Sequence, residues 1–469
     1  MLRFLDYLSN TEKVELLKVA VKETDTAGNG LFASDELDCH KGSSLLTIPS
    51  QLIITAQTAR EFFKEKFPAI YQELDEVSLG AVKERFILLA FLIYGHSNPS
   101  EFPYQAYLDV LPTATDFEKW HALYFDDEHL KIMDGSSLAA SIEARHQVLK
   151  KEVHNFRHHV RSFPEDVSLE LWKWADTIFW TRVISIKSQH SASKIPSDSQ
   201  SDYALVPMID FANHSLKPNV RWEINEDGDF QLFPKDDIQI KAGDELFLSY
   251  GDKSNQELLF SHGFCIPDNP TSAKFTISAA SLLSFDEDSY QAKFHWLRKI
   301  GYQNLALTLE KEAQGMWHPL LKAGWTVESV KLLHFAVLSL SEDDLIVTTE
   351  EDSVTEDGVN IVFDNVNLKD MDQSFEIIQQ HKNYPVYQLR TVLILSDALE
   401  YHFNTLAMSL QEQDDSLDQN DQTKSYISMY ATEELELLSK ALTIMDEEKA
   451  KLAENEVVIT YLGQDEDAI

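Results

Sequence analysis

The sequence predicts an α+β protein, with a small, antiparallel-rich β-fold that is interrupted by an α-helical insertion and followed by a mainly α-helical C-terminal domain. Short apolar runs between turn residues occur near the N-terminus and again in the middle of the chain, which is the pattern of short strands. Longer segments of helical periodicity separate these two groups and fill the last third of the chain. We therefore expect a first domain over residues 1–270, with the insertion at about 58–200, and a helical domain over residues 271–469.

The strands are predicted from short apolar runs. The first two runs follow a turn that contains Gly28 and Gly30, and they cover Leu45–Pro49 and Leu52–Ile54. Turn residues separate the later runs, as expected of strands joined by tight connections. These later strands are expected at Leu205–Ile209, Val220–Trp222, Phe230–Phe233, Ile238–Ile240 and Glu245–Ser249.

The helices are predicted from apolar periodicity and helix-forming composition. In the insertion we expect them at Glu61–Phe67, Ala81–Tyr94, Leu138–His159 and Trp172–Ile186. In the C-terminal domain we expect them at Tyr290–Leu309, Val327–Leu340, Tyr387–Ala407 and Thr432–Ala453. The Ser-rich stretch 188–201 and the acidic stretches 341–357 and 411–421 are interpreted as solvated loops.

The charge of the chain argues against a bare nucleic-acid ligand. Its 40 basic and 78 acidic side chains give a net charge of −38, whereas nucleic-acid binding depends on Lys and Arg side chains that neutralise phosphates. A negative field of this size attracts Lys-rich proteins and raises encounter rates with them. We therefore expect a basic protein partner and no direct nucleic-acid contact. The alternative is that the excess acid serves solubility alone.

Cysteine usage and hydropathy indicate a protein of a reducing compartment. Cys39 and Cys265 are the only cysteines, so neither a disulfide framework nor a four-cysteine zinc site can form within the chain. The longest apolar run, Phe86–Tyr94, is far shorter than the roughly 20 residues of a membrane span. At the N-terminus, charge interrupts the sequence before any apolar stretch develops. We expect a cytoplasmic or nuclear monomer without membrane contact.

Two segments carry residues suited to holding a small ligand. In the turn Gly28-Asn29-Gly30, the glycines permit a close approach of the backbone to a ligand. An ordinary turn into a strand is the alternative. Arg182 lies among residues of buried type and therefore needs an anionic partner. That partner is either a ligand carboxylate or an internal Asp or Glu, and the sequence leaves both open.

Two further segments place polar side chains at the ends of apolar strands. One strand runs directly into Asp210, Asn213 and His214, whose burial without partners would be costly. We interpret them as functional residues rather than as a capped turn. Tyr250 ends the next strand and precedes a glycine, so its hydroxyl can project into a pocket. Packing in the core is the alternative for this tyrosine.

Taken together, these four segments resemble the SET-domain methyltransferases, within the group that includes the Rubisco large-subunit methyltransferase and the fungal ribosomal-protein lysine methyltransferases. The likeness covers roughly the first 270 residues, and the C-terminal region matches that group's substrate-binding domain in position and composition only. It implies an interrupted SET fold in which the segment with Asn213 and His214 threads through a knot-like crossing. It also implies an enzyme that transfers a methyl group from S-adenosylmethionine to a protein lysine.

The resemblance assigns roles to individual residues. The cofactor would be contacted by the backbone of Gly28, Asn29 and Gly30 and by the side chains of Arg182, Asn213, His214 and Tyr250. Tyr250 would be the catalytic tyrosine, with its hydroxyl near the departing methyl group. The substrate side would be formed by Arg182, Asp210, Tyr250, His262 and Phe264. A free lysine has a pKa of about 10.4, which a dehydrated channel beside the cofactor's positive sulfur would lower to release the neutral amine.

His262 departs from the pattern of that group. Many relatives have a second active-site tyrosine in a Tyr-Gly-Phe sequence, where this chain has His262-Gly263-Phe264. A relative that methylates a histidine of actin also lacks that tyrosine. His262 either contacts substrate or fills space. Lysine, histidine and N-terminal amine acceptors therefore stay open, and the expected substrate is a basic ribosomal protein or translation factor.

A non-catalytic module with the same fold is the main rival from another class. Retention of the arginine, the Asn-His pair and the tyrosine favours the enzyme, because a binding module would be free to lose them. A metal site is not expected. His154 and His158 are spaced to meet on one helix face, next to His159, but no acidic or cysteine partner is well placed in the sequence.

Overall fold

The structure of the chain, a computed structural model, consists of two compact units. The first unit comprises Met1–Phe125, Ile142–Lys253 and Phe260–Gly263, and the second comprises Asp126–Ser141, Ser254–Leu259 and Phe264–Ile469. The structure describes residues 1–10, 14, 18–24, 28–34, 44–77, 83–164, 166–186, 203–236, 238–280, 287–302, 305–311, 317–340, 342–349, 359–414 and 421–466. Cys39 and the Ser-rich stretch 188–201 lie outside these residues. The division expected at residue 270 stays a prediction.

The strands of the first unit are short and antiparallel. They are β1 (Val19–Thr24), β2 (Gly28–Ala33), β3 (Leu46–Ile48), β4 (Ile54–Thr55), β5 (Ile184–Ser185), β6 (Tyr203–Leu205), β7 (Val220–Ile224) and β8 (Phe230–Pro234). β1 pairs with β2, β8 lies between β3 and β7, and β6 lies between β4 and β5. The register of each pair is antiparallel. The two sequence regions predicted to form strands thus meet in shared sheets.

Helices fill the stretch between β4 and β5, where the sequence predicts an insertion. β4 precedes this stretch, β5 follows it, and both strands pair with β6, so the chain leaves one small sheet and returns to it. A separate helix, Leu2–Ser9, precedes β1. The inserted helices are Ala56–Lys66, Pro68–Glu76, Lys83–Ser97, Gln105–Leu108, Ala114–Phe117, Asp127–Ile132, Ser137–His159 and Leu169–Arg182.

The helix Lys83–Ser97 lies in the core of the first unit. Its side chains are buried continuously from residue 85 to residue 95, as expected of a helix that is apolar on all faces. Phe86 packs edge-on against Trp172 with 5.2 Å between ring centroids. Trp172 belongs to the helix Leu169–Arg182. This contact between large aromatic rings fixes the helix that ends at Arg182.

Two predicted elements of the first unit are longer than the observed ones. The helix expected at Trp172–Ile186 ends at Arg182, because Val183 adopts extended dihedral angles (φ −70°, ψ 138°). Of the strand expected at Leu205–Ile209, only Leu205 lies in a strand, because β6 ends there. Met208, three residues later, has a positive φ of 79°. Apolar composition continues past both ends, so periodicity alone could not locate them. The segments 238–240 and 245–249 were also expected as strands, and they form no regular strand.

The second unit is mainly helical, as predicted, and its described part also contains strands. Its helices are Asp127–Ile132, Glu287–Lys299, Pro319–Ala323, Val327–Ala336, Met371–Gln380, Tyr384–Asp414, Gln422–Ala453 and Glu456–Glu466, and the helices Ser137–His159 and Asn255–His262 are divided between the units. Its strands are β9 (Lys274–Ser278), β10 (Ala306–Glu310), β11 (Leu345–Thr349), β12 (Val359–Phe363) and β13 (Val366–Asn367). β9 pairs with β10, and β12 lies between β11 and β13. No helix in the described ranges combines the length and apolarity needed to cross a bilayer.

The helix expected at Tyr290–Leu309 is wrong in its second half. The observed helix ends at Lys299, before Gly301 with its φ of 89°. The following residues form β10, in which Leu307 and Leu309 are fully buried and alternate with less buried neighbours. This period of two is that of a strand with one covered face. The acidic stretch 341–357 likewise contains β11 rather than loop alone.

A buried neutral histidine makes the stability of the second unit depend on pH. His334 is fully buried, and burial lowers its pKa from 6.5 to about 4. Between about pH 4 and pH 6.5, His334 is protonated in the unfolded chain and stays neutral in the folded chain. The stability from His334 is therefore fully present above pH 6.5 and is lost as the pH falls toward 4, by about 1.4 kcal/mol per pH unit.

We expect His334→Gln to remove this pH dependence. The measurement is the free energy of unfolding of the second unit at about pH 7 and about pH 5.5, the window in which the proton uptake occurs. Burial raises the pKa of Glu434 to about 7, so the contribution of Glu434 to stability increases as the pH falls, opposite to that of His334. The variant is therefore compared with the wild type under the same conditions. His158→Gln, at an exposed position, is the matched control. Equal pH slopes for His334→Gln and wild type would contradict the prediction.

Candidate active site

The loop after β6 carries Asp210 into the interior of the first unit. Met208 adopts φ 79°, ψ −44°, a conformation that residues with side chains rarely adopt. The turn at Met208 leads into the 3-10 helix Ile209–Phe211. The side chain of Asp210 is completely buried. A carboxylate in such a place needs cationic or hydrogen-bonding partners.

Arg182 and Tyr107 supply these partners. Nη1 of Arg182 donates to Oδ2 of Asp210 at 3.0 Å and to the backbone oxygen of Asp210 at 3.2 Å. The hydroxyl of Tyr107 donates to the same Oδ2 at 2.8 Å. Burial lowers the pKa of Arg182, but the charge and hydrogen bond of Asp210, together with Tyr107 and Tyr250, outweigh burial, and the pKa is raised. Of the two anionic partners that the sequence left open, the structure shows the internal carboxylate.

Arg182 also has hydrogen-bonding capacity that Asp210 does not use. Its Nε is buried and has no hydrogen-bond partner among the described residues. An unpaired buried donor costs about 1–3 kcal/mol. A ligand carboxylate can accept a hydrogen bond from this atom while Nη1 stays on Asp210. The guanidinium group is therefore suited to an anionic ligand without loss of the ion pair.

The second part of the site joins β2 to the segment that carries Glu245. Phe32 and Glu245 form an antiparallel bridge, and Oε1 of Glu245 accepts a hydrogen bond from Nδ2 of Asn213 at 2.7 Å. A Cβ atom at Gly30 would lie 2.7 Å from the same Oε1. A side chain at Gly30 would thus force the carboxylate of Glu245 to move, whereas Gly28 is favoured by its φ of 69°.

Asn213 and His214 lie beside the segment that ends in Tyr250. Leu248 forms a parallel bridge to His214, and its N–H donates to the backbone oxygen of Asn213 at 2.9 Å. The N–H of Tyr250 donates to Nδ1 of His214 at 3.0 Å, so the neutral ring of His214 carries its proton on Nε2. The hydroxyl of Tyr250 donates to the backbone oxygen of Ala212 at 3.1 Å. Tyr250 is therefore held through both its backbone and its side chain.

Tyr250 keeps its proton at neutral pH. Burial raises the pKa of Tyr250 to about 12, an effect that Arg182 opposes and that Asp210 and Glu245 increase. All three charged side chains therefore act electrostatically on this hydroxyl. Because its proton is directed to Ala212, the phenolic oxygen presents its lone pairs elsewhere.

The ring of His262 packs against Tyr250. The two ring centroids are 4.8 Å apart and the planes are inclined by 42°. Burial lowers the pKa of His262 to about 3, and the charge of Lys253 lowers it further, so this imidazole is neutral at physiological pH. The next residue, Gly263, has a φ of 76°, and a Cβ there would lie 2.5 Å from the backbone oxygen of Trp120. Close backbone packing therefore fixes the position of His262.

The structure brings together most of the residues that the sequence singles out. Contacts and charge effects link Gly30, Arg182, Asp210, Asn213, His214, Tyr250 and His262. Gly28 and Asn29 lie at the exposed start of β2. Phe264 follows Gly263 directly and belongs to the second unit. Their predicted roles beside the cofactor and the substrate stay predictions.

The sequence predictions missed Glu245 and Tyr107. Glu245 follows Asp244 directly and precedes an apolar segment, so the sequence does not distinguish it from an ordinary turn carboxylate. Tyr107 lies in the insertion, 103 residues before its partner Asp210. No local pattern marks such a contact, because only the fold brings the two residues together.

One group of side chains in the second unit has the composition of a metal site. Ligand atoms of Asp344, Asp364 and His381 lie within 4.8 Å of one another. The N–H of Asn383 donates to Nδ1 of His381 at 3.2 Å, so the neutral ring carries its proton on Nε2, the atom that faces Asp344 at 3.6 Å. A proton on Nε2 opposes coordination of a cation there.

Comparison with known sequences points to one family. The SET-domain family model matches residues 28–251, a range that contains every linked residue above except His262. The chain is 26% identical over 228 residues to the ribosomal lysine N-methyltransferase set10 of Schizosaccharomyces pombe, covering 48% of this chain and 38% of that protein. It is 25% identical over 266 residues to the chloroplastic Rubisco large-subunit N-methyltransferase of Nicotiana tabacum, covering 54% and 48%. It is 23% identical over 250 residues to the actin-histidine N-methyltransferase of Mus musculus, covering 52% and 38%.

Comparison with solved structures extends the likeness to nearly the whole chain. The structure of Rubisco LSMT bound to AdoMet superposes with a TM-score of 0.66 at 17% identity, covering 97% of this chain and 93% of that chain. The SET domain of LSMT bound to lysine and AdoHcy gives a TM-score of 0.66 at 16% identity. These likenesses concern the fold and confirm the predicted α+β SET architecture, while the knot-like threading stays a prediction. The aligned stretches span less than half of each of the three curated relatives named above. Residues 28–251 of the chain therefore match the SET domain.

Proposed function

We propose that the chain transfers a methyl group from S-adenosylmethionine to a lysine side chain of a basic protein. The observation that carries the proposal is the hydrogen-bonded convergence of Gly30, Glu245, Asn213, His214 and Tyr250 beside a buried ion pair. Relatives that match this region are named as lysine and histidine N-methyltransferases. The matched stretch is the part of the chain in which these residues lie.

The residues present suit S-adenosylmethionine as the methyl donor. The unused Nε of Arg182 is a donor for the carboxylate of its amino-acid end. Nothing lies within 4 Å of the Cβ position of Gly28 in the described residues, which leaves room for a ligand at the start of β2. The Asn213-His214 pair would contact the amino-acid end and the adenine. When bound, this cofactor supplies a methyl group on a positively charged sulfur.

Tyr250 is the proposed catalytic residue. Methyl transfer is an in-line displacement, so its rate depends on alignment of the attacking nitrogen with the methyl group. The hydroxyl of Tyr250 donates its proton to the backbone oxygen of Ala212. The lone pairs of the hydroxyl oxygen can therefore orient an N–H of the amine or the electron-poor methyl group. Because its pKa is raised to about 12, the hydroxyl performs this task uncharged.

The attacking amine must be neutral, and the site favours that state. A free lysine has a pKa of about 10.4, and burial against the rings of Tyr250 and His262 disfavours the ammonium form. His262 is a very weak base, since its pKa is lowered to about 3. We therefore assign proton removal to solvent, before the amine enters the site. His262 shapes the pocket wall.

The net charge of −38 supports a basic protein as substrate. The fungal relative is named as a ribosomal lysine methyltransferase and the plant relative as a methyltransferase of the Rubisco large subunit. We propose a ribosomal protein or translation factor, met in the cytoplasm or nucleus, as the first substrate class to test. No direct contact with nucleic acid is proposed.

Cofactor titration followed by labelling tests this function. We expect S-adenosylmethionine to bind the full chain in isothermal titration calorimetry, in competition with S-adenosylhomocysteine. Tritiated S-adenosylmethionine should then label proteins in a ribosomal and translation-factor fraction from fungal or plant lysate, and mass spectrometry should identify the label on lysine. Cofactor binding without any labelled protein would indicate a non-catalytic module. Absence of cofactor binding would overturn the proposal.

A histidine acceptor is the second candidate. Three observations favour it: His262 where many relatives have a tyrosine, its contact with Tyr250, and similarity to actin-histidine methyltransferases. A histidine nucleophile needs no loss of positive charge at neutral pH, because its ordinary pKa is about 6.5. The same mass spectrometry decides between the two: label on histidine alone would replace the lysine proposal.

A further inference from the structure

A cavity of the first unit takes no part in the chemistry proposed above. Its volume is about 200 Å³. We name it the Trp180 pocket and define it by residues that all belong to the first unit, which are Leu123, Arg145, Asp176, Trp180, Phe260 and Ser261.

The Trp180 pocket adjoins the proposed reacting centre. Ser261 immediately precedes His262, whose ring lies 4.8 Å from that of Tyr250. Trp180, on another wall, belongs to the helix that ends at Arg182, but residues two apart on a helix point to opposite faces, so Ser261 alone carries this adjacency. Since consecutive Cα atoms are about 3.8 Å apart, the pocket wall lies within about 10 Å of the tyrosine ring. An extended peptide covers that distance in about three residues.

The charged groups of the pocket neutralise one another. Nε and Nη2 of Arg145 donate to the two carboxylate oxygens of Asp176 at 3.1 and 2.6 Å. Nε of Arg85 donates to Asp176 at 2.8 Å, and two further nitrogens of Arg85 donate to Glu152 at 2.9 and 2.7 Å. Two guanidinium groups thus face two carboxylates. Arg145 and Asp176, the two oppositely charged residues of the lining, therefore leave no net charge for a ligand.

The accessible walls are apolar and of limited size. Trp180 is 41% exposed, which is unusual for a large aromatic side chain beside a cavity. Leu123 and Phe260 complete the apolar lining. A cavity of about 150 Å³ lined by Leu, Ile and Phe takes up benzene. The Trp180 pocket therefore has room for one large apolar side chain and is too small for a nucleotide.

We propose that the Trp180 pocket binds a large apolar side chain of the substrate protein, of the Leu, Met or Phe class, within about three residues of the methylated one. This inference rests on the proposed function, because it requires a polypeptide substrate at Tyr250. The negative field of the chain attracts basic proteins without selecting a site within them. A single apolar anchor beside the reacting centre supplies that selection.

Binding of capped amino acids tests the pocket without any need for activity. The probes are N-acetyl-phenylalaninamide and N-acetyl-leucinamide, with N-acetyl-aspartamide as the charged comparison, measured by saturation-transfer NMR on the full chain. We expect the two apolar probes to bind the wild type and to bind Trp180→Ala at least about tenfold more weakly, as for loss of a well-packed indole contact. Trp317→Ala removes a tryptophan of the second unit that is 59% exposed, and it should bind like the wild type. Equal binding to Trp180→Ala and wild type would overturn the proposal.

A peptide library tests the link to catalysis. Lysine-centred peptides with each flanking position varied in turn are incubated with tritiated S-adenosylmethionine and the full chain. We expect one position within about three residues of the lysine to prefer Leu, Met or Phe in the wild type and in Trp317→Ala, and to lose this preference in Trp180→Ala, while cofactor affinity is unchanged. Methylation with the same preference in Trp180→Ala would overturn the pocket proposal and leave the proposed function intact. Trp180-dependent probe binding with no methylation of any peptide or protein would overturn the proposed function and, with it, the substrate role of the pocket.

Discussion

Replacement of Tyr250 by phenylalanine is expected to lower kcat by about 10²–10³, the effect of removing one well-placed polar group from an active site. Phenylalanine keeps the ring that packs on His214 at 5.2 Å and on His262 at 4.8 Å. Only the oxygen is lost, and with it the lone pairs that we assign to the amine and the methyl group. The Kd of S-adenosylmethionine should therefore stay near its wild-type value. Single-turnover methyl transfer and isothermal titration calorimetry measure the two quantities separately.

Asn213→Ala is the matched variant and should show the reverse pattern. Asn213 connects Glu245 with the segment that leads to Tyr250, and we assign it to the amino-acid end of the cofactor. Loss of a hydrogen bond to a charged group weakens binding by about 10- to 100-fold. Saturating cofactor should restore much of the rate in Asn213→Ala but not in Tyr250→Phe. Wild-type kcat and wild-type Kd in both variants would contradict the site assignment.

Asp210→Ala is expected to destabilise the first unit by about 3–5 kcal/mol, because it leaves a buried charge without its counter-ion. The side chain of Asp210 is 0% exposed and that of Arg182 is 15% exposed, so solvent cannot take over the role of the carboxylate. The hydroxyl of Tyr107 also loses its acceptor. In differential scanning calorimetry, the transition of the first unit should fall by about 6–20 °C.

Two variants separate the buried charge from other causes of instability. Glu223→Ala breaks an exposed ion pair, in which the side chain of Arg221 is 41% exposed and that of Glu223 is 52% exposed. This variant should lose less than about 1 kcal/mol of stability. The double replacement Arg182→Met with Asp210→Leu should recover much of the lost stability, because no unpaired charge remains. If Asp210→Ala lost as little stability as Glu223→Ala, the ion pair between Arg182 and Asp210 would not stabilise the buried loop.

The residues of the site that could be predicted from the sequence are those with a local signal. Asn213 and His214 follow an apolar run, and Tyr250 ends another with a glycine after it. Polar side chains at the end of a buried strand are costly unless they have partners, and this cost is visible from neighbouring residues alone. The same holds for most helices of the insertion, whose apolar periodicity extends over several turns.

The residues that could not be predicted depend on contacts between distant segments. Tyr107 reaches Asp210 across 103 residues, and Glu245 reaches Asn213 across 32. Element ends were also misplaced where apolar composition continued past the true end, as at β10, where Leu307 and Leu309 have the period of two of a strand but were assigned to a helix. Pairing with β9 decides in favour of the strand.

The sequence by itself determined the fold class and the side chains available for chemistry, since both follow from local composition, spacing and the burial cost of polar groups. Only the tertiary structure decided how those side chains are used. In the structure, Arg182 pairs with Asp210 rather than leaving all of its donors to a ligand, and the ring of His262 packs against that of Tyr250 at a tilt of 42°. The physical reason is that charge pairing and ring packing act over a few ångströms in space, and separation along the chain does not measure that distance.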